Sequence, residues 1–446
     1  MIKRQNPKHK HITSFQIIIL GFLSVIILGS ILLMLPVATR DGKGAVCSDA
    51  LFTATSAVCV TGLVIHDTAI YWSMFGQSVI LFLIQIGGMG IVAVAVSVAA
   101  FSGRKIGLMQ RSTMQEAVSA HHVGGIVRLT KFILKTSVCI ELIGAALLLP
   151  AFIRDFGITK GLWYALFHSV SAFCNAGFDL IGIKEPFSSL TSYSSQPFFN
   201  FTVMALIIIG GIGFLTCEDI NNNKLHFRKY RMQSKVILTV TGILIILPSL
   251  YFFFFEYHNL PLGERILTSL FQSVTPRTAG FNTTDLSSFS ETGQMLIILL
   301  MLIGGSPGST AGGMKTTTIA VLVSSALSVF RKKEDTHFFK RRISDDTVKS
   351  AATIFLLYIG LFIGGGMIIS RIENLPLLPS LFETASAIGT VGLSLGITSQ
   401  LGIASQFILI ILMFFGRVGG LTLIFAAMKG TGTNVTKYPQ EKITVG

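Results

Sequence analysis

Charge is what this chain of 446 residues has least of: Asp, Glu, Lys and Arg make up 13%, against 51% hydrophobic residues and a mean hydropathy of +0.70. A soluble domain of this length needs far more polar surface, so a water-soluble globular protein is excluded. Cysteine is scarce too. Cys47, Cys59, Cys139, Cys174 and Cys217 are odd in number and scattered, with no metal-ligand spacing, and read as small apolar packers. No apolar run carries a His/Asp/Glu cluster or a nucleophile–base pair, which disfavours a membrane enzyme. No nucleotide site is expected either. Gly308, Gly313, Lys315 and Thr316 nearly spell a phosphate loop, but Met314 separates the glycine from the lysine and no strand precedes them. The first apolar run is too long for the core of a signal peptide and no small-residue cleavage site follows it, so no cleaved leader is expected.

Long apolar runs are what the chain has instead. A membrane-spanning helix needs about 20 apolar residues, and Phe15–Val37, Gln77–Phe101, Phe198–Cys217, Val236–Phe255 and Phe407–Met428 each suffice. The net charge of +14 is distributed unevenly between the connections. Lys3, Arg4, Lys8 and Lys10 precede the first span; Arg104, Lys105, Arg111, Arg128, Lys131 and Lys135 surround the next basic stretch. Lys224, Arg228, Lys229, Arg231 and Lys235 follow, then seven residues between Arg331 and Lys349, then Lys429, Lys437 and Lys442. Together they hold 25 of the 35 Lys and Arg. The alternate connections hold eight: Arg40, Lys43, Arg154, Lys160, Lys184, Arg265, Arg277 and Arg371. By the positive-inside rule the basic side, with both termini, is expected in the cytoplasm. Topology accounts for the charge, and nucleic-acid binding is not expected.

One phrase occurs four times on the less basic side: ALFTATSAVCVTGL from Ala50, ALFHSVSAFCNAGF from Ala165, SLFQSVTPRTAGF from Ser269 and SLFETASAIGTVGL from Ser380. Each runs from a phenylalanine to one glycine in nine or ten positions, and the glycines (Gly62, Gly177, Gly280, Gly392) are 115, 103 and 112 residues apart. A stretch this short cannot cross a bilayer. It reads as a re-entrant half-helix ending in irregular backbone, tolerated at membrane depth only inside protein or along a water-filled path. Flanking spans pair around each phrase: Phe15–Val37 with Gln77–Phe101, Leu129–Phe152 with Phe198–Cys217, Val236–Phe255 with Met295–Val329, and Val348–Ile369 with Phe407–Met428. The fold class expected is an all-α polytopic membrane protein: four helix–pore-helix–helix repeats in pseudo-fourfold symmetry, with eight transmembrane helices around a central pore. The repeats are placed at 14–101, 128–217, 234–330 and 347–429, with cytoplasmic segments at 1–13 and 430–446. A second register lies in the closing spans, IGGMG from Ile86, IGGIG from Ile209, IGGSP from Ile303 and FGRVG from Phe415. It sets Arg417 level with Gly88, Gly211 and Gly305.

A dehydrated monovalent cation needs several oxygen ligands, and backbone carbonyls can replace its hydration shell. Aiming successive carbonyls at one axis requires dihedrals that glycine adopts without penalty. The carbonyl end of each half-helix adds partial negative charge there. No ring of carboxylates is present. Asp179 and Asp285 are candidates for charges at the mouth, with a solvated outer loop as the other reading; Asp67 and Glu383 also lie near the phrases. Glu141, inside an apolar span, could pair with a basic residue and is given no transport role. His66 and His168 read as packing or rim residues. Asn221–Lys235 reads as a solvated loop, and Phe252–Phe255 as lipid-facing or buried helix.

Val60-Thr61-Gly62, Asn175-Ala176-Gly177, Thr278-Ala279-Gly280 and Thr390-Val391-Gly392 resemble the selectivity-filter loops of the Trk/Ktr/HKT superfamily of potassium transporters. The run Thr275-Pro276-Arg277-Thr278-Ala279-Gly280-Phe281-Asn282 is especially similar. The likeness covers nearly the whole chain and is greatest to the bacterial Ktr membrane subunit (KtrB), because the first repeat begins almost at once. It implies that these twelve residues coordinate K+. It also implies an intramembrane gating loop at Gly304, Gly305, Ser306, Pro307, Gly308, Gly312, Gly313 and Lys315, whose glycines and proline cannot continue a helix. Arg417 matches a pore arginine of the superfamily, and a fixed positive charge in a cation path repels transit. Static kinking of 304–315 and a packing role for Arg417 are the alternatives. The resemblance further implies a plasma-membrane homodimer on a cytoplasmic, nucleotide-binding RCK ring of the KtrA-like type, with uptake stimulated by Na+. No cofactor is expected on this chain. A less selective Na+/K+ transporter or symporter of the same architecture stays open, as does a non-conducting scaffold.

Overall fold

A computed structural model describes residues 13–101, 107–118, 126–183, 185–224 and 226–427. The two tails, with Lys3, Arg4, Lys8, Lys10, Lys429, Lys437 and Lys442, lie outside the described residues, as do Arg104, Lys105 and Lys184. The protein is a mostly helical membrane protein. In chain order its helices are α1 (Ser14–Leu33), α2 (Cys47–Val58), α3 (Thr68–Tyr71), α4 (Met74–Met89), α5 (Ile91–Phe101), α6 (Leu108–Val118) and α7 (Ile126–Phe173). Next come α8 (Pro197–Gly211), α9 (Phe214–Asn223), α10 (Met232–Tyr251), α11 (Leu262–Val274), α12 (Glu291–Leu302) and α13 (Thr316–Phe330). After a short hairpin, β1 (His337–Phe338) and β2 (Arg341–Arg342), come α14 (Asp345–Glu373), α15 (Leu377–Gly389), α16 (Ile403–Val418) and α17 (Gly420–Ala427).

Among the described residues, four helices are long and apolar enough to cross a bilayer unaided: Ser14–Leu33, Ile126–Phe173, Met232–Glu256 and Asp345–Glu373. They present large apolar side chains outward, among them Ile27, Leu28, Leu142, Ile143, Ile246, Leu247, Leu356 and Met367. That pattern suits helices whose outer face meets lipid rather than water. Cys139 is exposed in one of these spans and Cys47 is exposed at the start of α2, so only Cys59 and Cys174 are the buried packers expected of all five. The second span needs no loop before its phrase. Gly157 takes φ 78°, turning α7 so that 158–173 runs on directly as the second short helix.

The closing spans differ from the continuous helices expected. The first breaks at Gly90, the second bends by 100° after Gly211, and the fourth breaks at Gly419. Gly90, Gly213 and Gly419 each close the recurring five-residue phrase and take φ of 85°, 90° and 90°, where a side chain would be strained. In the third copy Pro307 holds that place, and the helix gives way altogether from Ile303 to Lys315. The glycine pair is legible in the sequence as a repeat; the break is set by the last residue of the phrase.

The four short helices that begin the repeated phrases make the centre of the core. Their shared phenylalanines, Phe52, Phe167, Phe271 and Phe382, are buried, as are most of the small residues between each phenylalanine and its glycine. Small side chains at these positions let backbones approach closely, the usual way helices pack without water to drive them together.

Candidate functional site

At the end of each short helix the chain makes the same three-residue turn. Val60, Asn175, Thr278 and Thr390 have φ of 57°, 58°, 72° and 51°, and two positions later Gly62, Gly177, Gly280 and Gly392 have φ of 87°, 70°, 79° and 94°. The residue between them is not left-handed. Alternating hands turns successive carbonyls to one side, and a non-glycine residue held so costs about 1–3 kcal/mol, strain that clusters at working sites.

The glycines close on one another in chain order. A Cβ added at Gly62 would meet the carbonyl oxygen of Ala176. At Gly177 it would lie 2.7 Å from that of Ala279, at Gly280 it would meet that of Val391, and at Gly392 that of Thr61. Each phrase thus abuts the next, and the fourth returns to the first. The four glycines also line one cavity of about 180 Å³, with Asp67, Asp179, Asn282 and Ser394 in its wall.

A hydroxyl five or six residues before each glycine braces the turn, a signal the sequence carried unread. Ser56 Oγ accepts from the N–H of Gly62 at 3.1 Å, and Ser386 Oγ from that of Gly392 at 3.0 Å. Ser171 Oγ and Thr275 Oγ1 instead donate to the carbonyls of Phe178 and Phe281, both at 2.7 Å. Further back, the residue after each shared phenylalanine differs. His168 donates from Nδ1 to the Tyr164 carbonyl (2.7 Å) and accepts at Nε2 from the N–H of Leu180 (3.3 Å). Glu383, fully buried, accepts from Ser394 and, at 2.8 Å, from Thr398. Its two partners, Ser394 and Thr398, line the cavity, and Glu383 itself does not. Glu383→Gln replaces one accepting oxygen by a donor, and a hydrogen bond so lost costs about 0.5–1.5 kcal/mol. The variant is expected to melt several degrees lower and to let Na+ compete better with Rb+ in vesicle flux; unchanged competition would leave Glu383 a purely structural residue.

The acidic residues near the phrases divide. Asp285 caps the one-turn helix Leu286–Ser288, accepting from Ser287 N–H at 2.9 Å, and does not line the cavity. Asp67 is held by the N–H groups of Ala69 (2.8 Å) and Phe187 (2.8 Å). Asp179 lines the cavity, and burial, then the neighbouring Asp67 carboxylate, push it up to about 7. Its ordinary value is far lower, so it is mostly neutral at pH 6 and ionised at pH 8. Cation uptake is therefore expected to rise as external pH climbs through 7, and Asp179→Asn to flatten that rise. A pH profile identical in the variant would rule out Asp179 as its source.

On the opposite side of the ring lies segment 304–315, tied to the glycine register of the three other closing spans. Ser306 N–H donates to the Gly211 carbonyl (2.9 Å), Thr310 N–H to that of Gly210 (3.2 Å), and Phe214 N–H to that of Gly308 (2.8 Å). Gly313 N–H donates to the Gly416 carbonyl (3.0 Å), and Thr310 Oγ1 to that of Phe173 (3.0 Å). Lys315 Nζ folds back onto the carbonyls of Ala311 (2.8 Å) and Gly312 (3.2 Å). Arg417 completes the set: its guanidinium donates to the carbonyls of Thr310, Gly87 and, at 3.1 Å, Gly88. It thus reaches from the fourth closing span to the first and to the segment at once. A second cavity, about 300 Å³, borders this level and is lined by Gly88, Gly308, Met314, Lys315 and Arg417 among others.

Glu141 does not meet a basic residue. It accepts both N–H groups of the Gln85 amide (2.9 and 3.1 Å). His66 pairs with Asp49 at 2.7 Å and stacks on Tyr71, a rim residue. Phe252–Glu256 forms a π-helical turn, with Phe252 buried and Phe254 and Phe255 exposed. No group of three metal-binding side chains occurs among the described residues.

Residues 3–437 match the family profile described as TrkH, cation transport protein. The chain is 39% identical to the potassium/sodium uptake protein NtpJ of Enterococcus hirae, covering 98% of both chains. It is also 39% identical to the Ktr system potassium uptake protein B of Bacillus subtilis, covering 97% of this chain and 96% of that one. Among solved structures, the potassium transporter TrkH from Vibrio parahaemolyticus superposes with a TM-score of 0.75 at 19% identity, over 96% of this chain and 87% of that one. The last likeness speaks for the fold alone.

Proposed function

Since the chain belongs to the TrkH family of cation transport proteins, a transporter family and not an enzyme, we propose that it is the ion-translocating subunit of a potassium uptake system. The observation that carries this reading is the closed ring of left-handed glycines, each in contact with the next turn's carbonyl. In it, four helix–pore-helix–helix repeats and eight spans, four of them broken, surround a central path with pseudo-fourfold symmetry. Carbonyls of Val60, Thr61, Gly62, Asn175, Ala176, Gly177, Thr278, Ala279, Gly280, Thr390, Val391 and Gly392 replace the hydration shell of K+. Segment 304–315 closes the path below the ring and Arg417 latches it there. The carbonyl ends of the short helices supply partial negative charge to the entering ion.

The basic side, with both termini, is cytoplasmic in this reading. A homodimer seated on a KtrA-like ring of nucleotide-binding subunits and stimulation by Na+ follow from likeness to Ktr proteins. Conduction of Na+ as well is a second reading, favoured by the naming of the Enterococcus hirae relative as a potassium/sodium uptake protein and by one glycine per turn.

The test is growth of a bacterium lacking its own potassium uptake systems on limiting potassium, with and without a co-expressed ring subunit. Rescue by the chain is the expected result. No rescue, with the protein verified in the membrane beside a matched partner, would turn the reading toward sodium or away from transport.

A further inference from the structure

The hairpin between α13 and α14 carries three consecutive cations, Lys340-Arg341-Arg342 after Phe338-Phe339, and it does not hang free of the helices. Phe338 and Ile343 pack with Val321, Leu322 and Val348 in a small separate core, and Ser324 Oγ donates to the His337 carbonyl at 3.5 Å. Ser324 lies six residues before the end of α13, roughly 9 Å back along the helix axis. The hairpin is therefore folded against the last turns of an apolar helix. Phe330 and Val329, at that helix end, are 80% and 70% exposed.

The turn of the hairpin, Phe339 and Lys340, has φ of 45° and 64°, which keeps Phe339 turned out. Its ring lies 6.3 Å from that of Phe227, and the ammonium of Lys235 sits 5.9 and 6.0 Å from the two ring centres. Of the three hairpin cations, Arg342 is taken by Asp335 at 2.8 Å. Lys340 and Arg341 are exposed and, among the described residues, in no ion pair. The nearby Asp345 and Asp346 lie in the first turn of α14, where the helix dipole favours them.

We propose that this surface binds an anionic phospholipid of the leaflet on the basic side, with the phosphate at Lys340 and Arg341 and the acyl and glycerol region against Phe339 and Phe330. Aromatic rings beside basic side chains at the end of a span suit the polar–apolar boundary of a bilayer. Basic clusters next to a span attract anionic lipid, and the guanidinium offers the paired donors that phosphate accepts. Continuity with the apolar flank of α13 favours a lipid over a soluble acidic protein.

The test is native mass spectrometry of the full chain equilibrated with mixed phosphatidylglycerol and phosphatidylcholine. The wild type is expected to retain phosphatidylglycerol preferentially. The Lys340→Gln/Arg341→Gln double variant should lower that preference by roughly thirtyfold, and Phe339→Ala should shorten retention of both lipids. Both changes are on the surface, and unaltered melting confirms the fold. An unchanged lipid ratio in the double variant overturns the proposal. So does an equal loss in Arg371→Gln, at the far end of α14.

Discussion

Arg417→Ala is expected to raise rubidium uptake into vesicles by about thirtyfold. The guanidinium holds the carbonyl of Thr310, at the middle of segment 304–315, to those of Gly87 and Gly88. Its removal releases the segment from the first closing span and leaves its ties to the second and fourth, through Gly210, Gly211 and Gly416. In the proposed reading it also removes a fixed charge from the way of a cation. A unit charge acting over about 8 Å at an effective dielectric near 20 costs about 2 kcal/mol, which is the thirtyfold. Arg417→Lys keeps the charge and loses the three-pronged grip, so its uptake should fall between the two. Uptake kinetics in Arg417→Ala equal to those of the wild type would make the residue a packing contact.

Gly280→Ser should abolish selective uptake, by at least about a hundredfold, equivalent to roughly 2.7 kcal/mol in the barrier. Two costs act together. At φ 79° a side chain strains the backbone by about 1–2 kcal/mol. The new Cβ also runs into the carbonyl oxygen of Val391, with Gly392 Cα 3.2 Å away. These are backbone atoms and cannot swing aside, so the neighbouring turn must shift and its carbonyls leave their positions. Gly360→Ser is the matched control: it lies in α14 and a Cβ there meets nothing within 4 Å. Loss of uptake in both variants alike would point to poor folding instead of the ring.

The architecture was legible to the extent that it rests on composition and repetition. The long spans, the four phrases and the register of Arg417 with Gly88 all come from hydropathy and spacing, and the guanidinium does bond the Gly88 carbonyl. The breaks in the closing spans were less visible, because hydropathy runs unbroken through Gly90, Gly213 and Gly419 and only backbone dihedrals stop the helix there. The braces were invisible for another reason. Glu383 and His168 follow the shared phenylalanine but differ chemically, so no repeat marks them, and their partners Thr398 and Leu180 lie 15 and 12 residues on. An intramembrane carboxylate such as Glu141 suggests a cation, whereas a primary amide, with two donors, satisfies both its oxygens here.

The central claim is that the ring of four glycine turns selects and passes potassium. Relative flux of K+, Rb+ and Na+ into vesicles holding the purified chain, measured side by side for wild type and Gly280→Ser, tests it most directly. The account predicts K+ and Rb+ flux well above Na+ in the wild type, and loss of that preference in the variant. Equal Na+ and K+ flux in the wild type, or a preference that survives the serine, would contradict it.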